Sequence, residues 1–180
     1  MNRTELEAGI RRFHEESFGW ALNCCDRSVP DAEDVLQTAY MKIMAGRARF
    51  EGHSKFRTWL FGVIRLTARE HHRRELRQDR LAGRTQAQWQ DRGSVRSHAG
   101  DGADAGIIAR IEDRERAQRL ADALERLTER QREVLHLVFY QDLSVAEAAE
   151  IMAVSIGSAR THYDRGKKRL KELLMEAAKR

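Results

Sequence analysis

Asp31, Glu33 and Asp34 place three carboxylates within four residues. On a helix they share one turn, where they could hold a divalent cation for phosphodiester hydrolysis, favour the positive end of the helix dipole, or meet a basic protein partner. Hydrolysis lacks its other parts. No histidine or distant acid is identifiably paired with the three, and there is no glycine-rich phosphate loop, nucleophile motif or HExxH. The spacing of His14, His53, His71 and His72 supports no metal sensor, so neither a metal site nor a cofactor is expected. Cys24 and Cys25 are adjacent, unsuited to bridging one another, and read as two reduced thiols. An enzyme acting on a small-molecule substrate is not expected.

A second constellation is FRTWLFGVIRLTAREHHRR from Phe56 to Arg74. Phe56, Trp59 and Phe61 stand among Arg57, Arg65, Arg69, Arg73 and Arg74. Aromatic platforms in a basic setting suit single-stranded nucleic acid, where bases stack and phosphates pair with Arg. Ordinary core is the competing account for Phe56 and Trp59, and each account can hold at different residues. The third constellation is basic: Arg160, Arg165, Lys167, Lys168, Arg169 and Lys171 meet only Asp164 and Glu172. Arg160, Thr161 and Arg165 could share one groove-facing side of a helix.

Helices must position all three. The chain of 180 residues has one proline and almost no β-branched alternation, and its apolar residues recur at helical spacing. Leu6, Ile10 and Phe13 form one stripe, with Trp20 beyond. Val35, Leu36, Ala39, Tyr40, Ile43 and Met44 form another, with Gln37, Thr38 and Lys42 on the opposite polar face. Phe56, Trp59, Leu60, Val63 and Ile64 form a third, after a loop holding Glu51, His53, Ser54 and Lys55. Ser144 and Glu147 make a capping box for a helix from Val145 to Met152, and Ser155 is placed to cap another from Ile156. A capped helix, a tight turn and a second capped helix predict a helix-turn-helix. Ala149 and Ala159 supply small side chains for the crossing, and His162 is expected to pack there.

Between Leu81 and Ala109 the apolar stripe lapses and Gly, Ser, Gln and Asp accumulate. The expected fold class is therefore all-α. It comprises two small helical domains, residues 1–82 and 111–180, joined by a flexible linker at 83–110. Lys and Arg number 33 against 28 Asp and Glu, a basic balance that suits a nucleic-acid partner. No stretch reaches the roughly 20 apolar residues of a membrane span, and the N-terminus does not resemble a signal peptide, so a cytoplasmic protein is expected.

Three blocks in this order resemble one family. Asp31-Ala32-Glu33-Asp34-Val35-Leu36-Gln37 is similar to the core-polymerase-binding helix of sigma-70-type factors. Phe56-Arg57-Thr58-Trp59-Leu60 resembles their promoter-melting segment. Leu124 to Leu170 resembles their second promoter-reading domain, including QREVL at Gln131–Leu135 and Ser155-Ile156-Gly157-Ser158-Ala159-Arg160. The size matches the small, extracytoplasmic-function members.

The resemblance implies a specificity subunit that binds core RNA polymerase, through its β and β′ subunits, and promoter DNA. Glu33, Asp34 and Gln37, with Thr38 and Lys42, would dock on the polymerase. Glu51, His53, Ser54 and Lys55 would shape a pocket for a flipped base of the −10 element. Trp59, Arg65, Arg69 and Arg73 would support melting and hold the strand. Ser158, Arg160, Thr161, Asp164, Arg165 and Lys168 would read the −35 element. The linker would thread toward the RNA exit path. An anti-sigma factor is implied as an inhibitory partner able to hold the chain near the membrane.

Three positions depart from the pattern: Leu66 where many relatives have Asn, Thr128 in place of a usual proline, and Asp164 in the reading helix. A conventional helix-turn-helix repressor or activator is the alternative. It accounts for the C-terminal half and leaves the acidic helix and the aromatic–arginine block without a role.

Overall fold

The computed structural model describes residues 1–81 and 107–178, and every regular element among them is helical. α1 (Arg3–Arg12) starts with a capping box: the Glu5 amide donates to Asn2 Oδ1 and the Asn2 amide to a Glu5 carboxylate oxygen, both at 2.8 Å. The chain breaks at Phe13 and resumes as α2 (His14–Cys24), so the first stripe is divided between two short helices. α3 (Val29–Met44) begins behind Ser28, with Pro30 in the first turn, where a missing amide hydrogen leaves no bond unmade. α4 (Phe56–Leu81) follows the loop.

α2, α3 and α4 pack into one bundle around Trp20, Val35, Leu36, Ala39, Ile43, Leu60, Phe61 and Ile64, all buried. The Trp20 indole donates to the Phe61 carbonyl at 3.0 Å, which satisfies the one polar atom of a fully buried ring. α1 crosses over this bundle at Gly9, where a β-carbon would lie 2.6 Å from the Phe56 ring.

The C-terminal half holds α5 (Ile107–Glu125), α6 (Glu129–Leu135), a π-helical turn (His136–Tyr140), α7 (Val145–Met152) and α8 (Ile156–Ala178). Thr128, where a proline is usual in relatives, caps α6 through a reciprocal box with Gln131. Val134, Leu137, Ala148, Ile151, Met152, Ala159 and Leu173 are buried between these helices. α8 approaches α6 closely at Gly166, where a β-carbon would stand 3.1 Å from Gln131.

Most of the expected linker lies outside the described residues. α5 begins at Ile107, so the last four residues of the segment expected as linker, 107–110, are helical instead. The apolar spacing of Ile107, Ile108 and Ile111 already belongs to that helix.

Candidate nucleic-acid interface

The helix-turn-helix forms where its caps predict. Ser144 accepts from the Glu147 amide at 3.2 Å, and Glu147 reaches back to the Ser144 amide at 2.9 Å. α7 ends at Ala153, which adopts a left-handed conformation at φ 52°, unusual for a residue with a β-carbon. That reversal turns the chain within three residues, and Ser155 then accepts from the Ser158 amide at 3.1 Å to start α8. Ala149 and Ala159 are buried at the crossing. His162 is half-buried.

Ser158, Arg160, Thr161, Asp164, Arg165 and Lys168 are all exposed on the first turns of α8. None of the three cations among them is ion-paired with a described residue. Thr161 Oγ1 donates to the Gly157 carbonyl at 2.9 Å, and Ser158 Oγ is 2.9 Å from Ser155 Oγ. Asp164 is not paired with Arg160 among the described residues.

α4 carries the second face. Trp59, Leu66, Arg69 and Arg73 recur at spacings of seven, three and four residues and share one side. Leu66 is 59% exposed and Arg69 and Arg73 are exposed. Trp59 is half-buried in an aromatic group with Phe50 and Phe56, the ring centroids each 5.3 Å away. Phe61 is wholly core, stacked on Trp20 at 6.1 Å. The core account therefore holds for Phe61, while Trp59 keeps part of its ring open to solvent. In the preceding loop Glu51, His53 and Lys55 are exposed, and Ser54 is half-buried.

On α3, Glu33, Asp34 and Gln37 are exposed and Thr38 is half-buried. Lys42 is half-buried, bonding Glu70 at 2.7 Å and Thr67 at 3.2 Å across to α4. Its ammonium holds two helices together.

Family comparisons address both halves. A model described as Sigma-70 region 2 matches residues 10–78, and one described as Sigma-70, region 4 matches residues 117–170. The RNA polymerase sigma factor CarQ of Myxococcus xanthus is 30% identical over 145 residues, 81% of this chain and 75% of that protein. The ECF RNA polymerase sigma factor SigX of Bacillus subtilis is 31% identical over 149 residues, 80% of this chain and 72% of its own length. The chain belongs to the sigma-70 family. Within it, the relatives place the chain in the extracytoplasmic-function group. A solved structure of the sigma factor RpoE with the anti-sigma factor NepR from Bartonella quintana matches 95% of this chain and 97% of that one, at TM-score 0.65 and 25% identity. As a sigma factor the protein directs promoter-specific transcription initiation, and a free-standing repressor is not favoured.

In this sigma factor the region 2 and region 4 halves are in direct contact. Arg65, expected on the strand-holding face, is buried and doubly bonded to Glu133 of α6 at 2.6 and 3.2 Å. Arg57 donates to the carbonyl and side-chain oxygens of Gln141 at 2.6 and 3.0 Å, and also meets Glu16 at 2.8 Å. Lys55 pairs with Glu147 at 2.8 Å, and Arg132 with Asp26 at 3.1 Å. The hydrogen bond from Lys55, then those from Ser144, hold the Glu147 carboxyl down at about 2. Burial pushes Glu133 upward and the Arg65 guanidinium opposes it. No local spacing in the sequence marks Glu133, Gln141 or Glu147 as contacts across the halves. A carboxylate beside Val134 and Leu135 in an apolar stripe was the one local signal for Glu133.

Burial and neighbouring carboxylates push the Cys25 thiol up to about 12, and burial raises Cys24 as well. Neither is a reactive thiolate at neutral pH.

Proposed function

We propose that this sigma factor divides its work among three faces. Glu33, Asp34 and Gln37, flanked by Thr38 and Lys42, dock on core RNA polymerase. Glu51, His53, Ser54 and Lys55, with Trp59, Arg65, Arg69 and Arg73, capture and hold the opened −10 strand. Ser158, Arg160, Thr161, Asp164, Arg165 and Lys168 enter the major groove at the −35 element. The first two faces belong to a domain of residues 1–82, and the third to a domain beginning at Ile107. The protein works in the cytoplasm and has no catalytic activity of its own.

The observation that carries this reading is the uneven exposure of the three faces. The acidic turn of α3 and the reading face of α8 lie open to solvent, whereas Lys55 and Arg65 are engaged by α7 and α6. A chain in this state is ready to meet polymerase and unready to hold single-stranded DNA with those two cations. An anti-sigma factor that favours the closed arrangement would inhibit it, in keeping with the complex of its structural relative RpoE with the anti-sigma factor NepR.

The test is in vitro transcription with core RNA polymerase and promoter fragments. Asp34→Arg is expected to abolish polymerase binding with the helical content intact. Arg160→Ala is expected to lose promoters that carry a −35 element, by about 1–3 kcal/mol of discrimination. Unchanged polymerase affinity in the first variant would refute the assignment of α3.

A further inference from the structure

Asp31 in the first turn of α3, and His71 and Glu75 one turn apart on α4, bring three donor atoms together beside a cavity of about 690 Å³. His71 Nε2 lies 3.6 Å from Asp31 Oδ1 and 3.8 Å from Glu75 Oε1, and all three atoms fall within 4.8 Å of one another. These separations are too long for hydrogen bonds. The Nε2 atom is itself buried and without a hydrogen-bond partner. A tetrahedral first-row ion bound at about 2.0–2.2 Å holds its ligands roughly 3.4 Å apart, so the triad is spaced as coordinating atoms are. Two of its members stand at i and i+4 on one helix face, a rigid pair, and the third comes from a neighbouring helix packed against it. Cys25 lines the same cavity but stands outside this group of three donor atoms.

We propose that Asp31, His71 and Glu75 bind a zinc-like divalent cation, with water completing the coordination. An imidazole and two carboxylates match the borderline first-row metals. Calcium and magnesium take oxygen ligands alone. Two carboxylates balance the ion's charge. No reading of the histidines by sequence spacing finds this site, because Asp31 is 40 residues from His71 and belongs to another helix.

The experiment uses the full chain, stripped with a chelator and titrated with Co²⁺ as a spectroscopic stand-in for zinc. One equivalent is expected to give the intense visible bands of a tetrahedral ion. Zinc displaces the bound ion, and magnesium does not. His71→Ala and Glu75→Gln each weaken binding by roughly 100-fold. Cys25→Ser, Cys24→Ser and His53→Ala leave the titration unchanged. Should His71→Ala lose its helical signal, the unsubstituted chain still decides the matter by NMR. Substoichiometric Co²⁺ must then perturb the ring protons of His71 and spare those of His53. Absence of a tetrahedral spectrum, equal affinity in a folded His71→Ala variant, or unperturbed His71 protons would overturn the proposal.

Discussion

Arg65 stands at the edge of α4 between the exposed face of Leu66, Arg69 and Arg73 and the bundle core. Its guanidinium and the Glu133 carboxylate are 5% and 6% exposed, and their two bonds are charge-assisted and bidentate. Removing one member of such a pair strands the other charge away from water, at a cost of about 3–5 kcal/mol, whereas replacing both with apolar groups is close to neutral. Arg65→Met is therefore expected to lower unfolding stability by about 3–5 kcal/mol in urea melts. Arg65→Met/Glu133→Leu is expected to recover most of that loss. A double variant as unstable as the single one would show that the stranded carboxylate is not the cause. The positive charge of Arg65 was legible beside the aromatics of its own helix. Its partner was not, because it lies 68 positions away in the other half, beyond the reach of any local spacing.

Helix starts were the most readable elements, since caps are local chemistry. Ser144 with Glu147, and Ser155 before Ile156, mark their helices within four residues. The π-helical turn His136–Tyr140 was not readable, because HLVFY has the apolar pattern of any buried helical turn. Its effect is to present His136 to the other half: the ring stacks on Tyr140 at 5.3 Å and faces Trp20 at 5.5 Å. Burial, assisted by the charge of Arg27, holds this imidazole down at about 4, against 6.5 ordinarily. The unfolded chain then binds the extra proton and the folded chain does not. Stability from this group is complete above about pH 6.5 and falls as pH drops toward 4. Glu147, depressed from 4.5 to about 2, extends the loss at lower pH, present above 4.5 and vanishing through 2. Thermal melts of the native chain should fall in temperature between pH 6.5 and 4, and His136→Phe should flatten that slope. An unaltered slope in the variant would place the pH dependence elsewhere.

At the scale of the whole molecule the polar links across the halves are unequal. Lys55 is 80% exposed and Asp26 76% exposed, so their pairs with Glu147 and Arg132 are screened by salt and contribute little. Arg65–Glu133 is shielded on all sides, and Arg57 is fixed by a carbonyl, an amide and a carboxylate together. Closure thus rests on two arginines of α4, and Arg65 is also the cation proposed to hold the melted strand. A closed chain and one with Arg65 on DNA exclude one another, so the balance between them sets how readily the factor opens on polymerase. Glu133→Lys sets a cation against both Arg65 and Arg130, which also pairs with Glu133 at 3.0 Å. X-ray scattering of the free chain is expected to give a radius of gyration near about 16 Å, as for one compact body of this length. Glu133→Lys is expected to raise it by several ångströms, roughly the separation of two independent domains, with helical content retained. The opened variant should also associate faster with core polymerase, because no intramolecular bond must first break. Equal radii for the two proteins would mean that apolar contacts across α4 and α7 keep the halves closed without the buried pair.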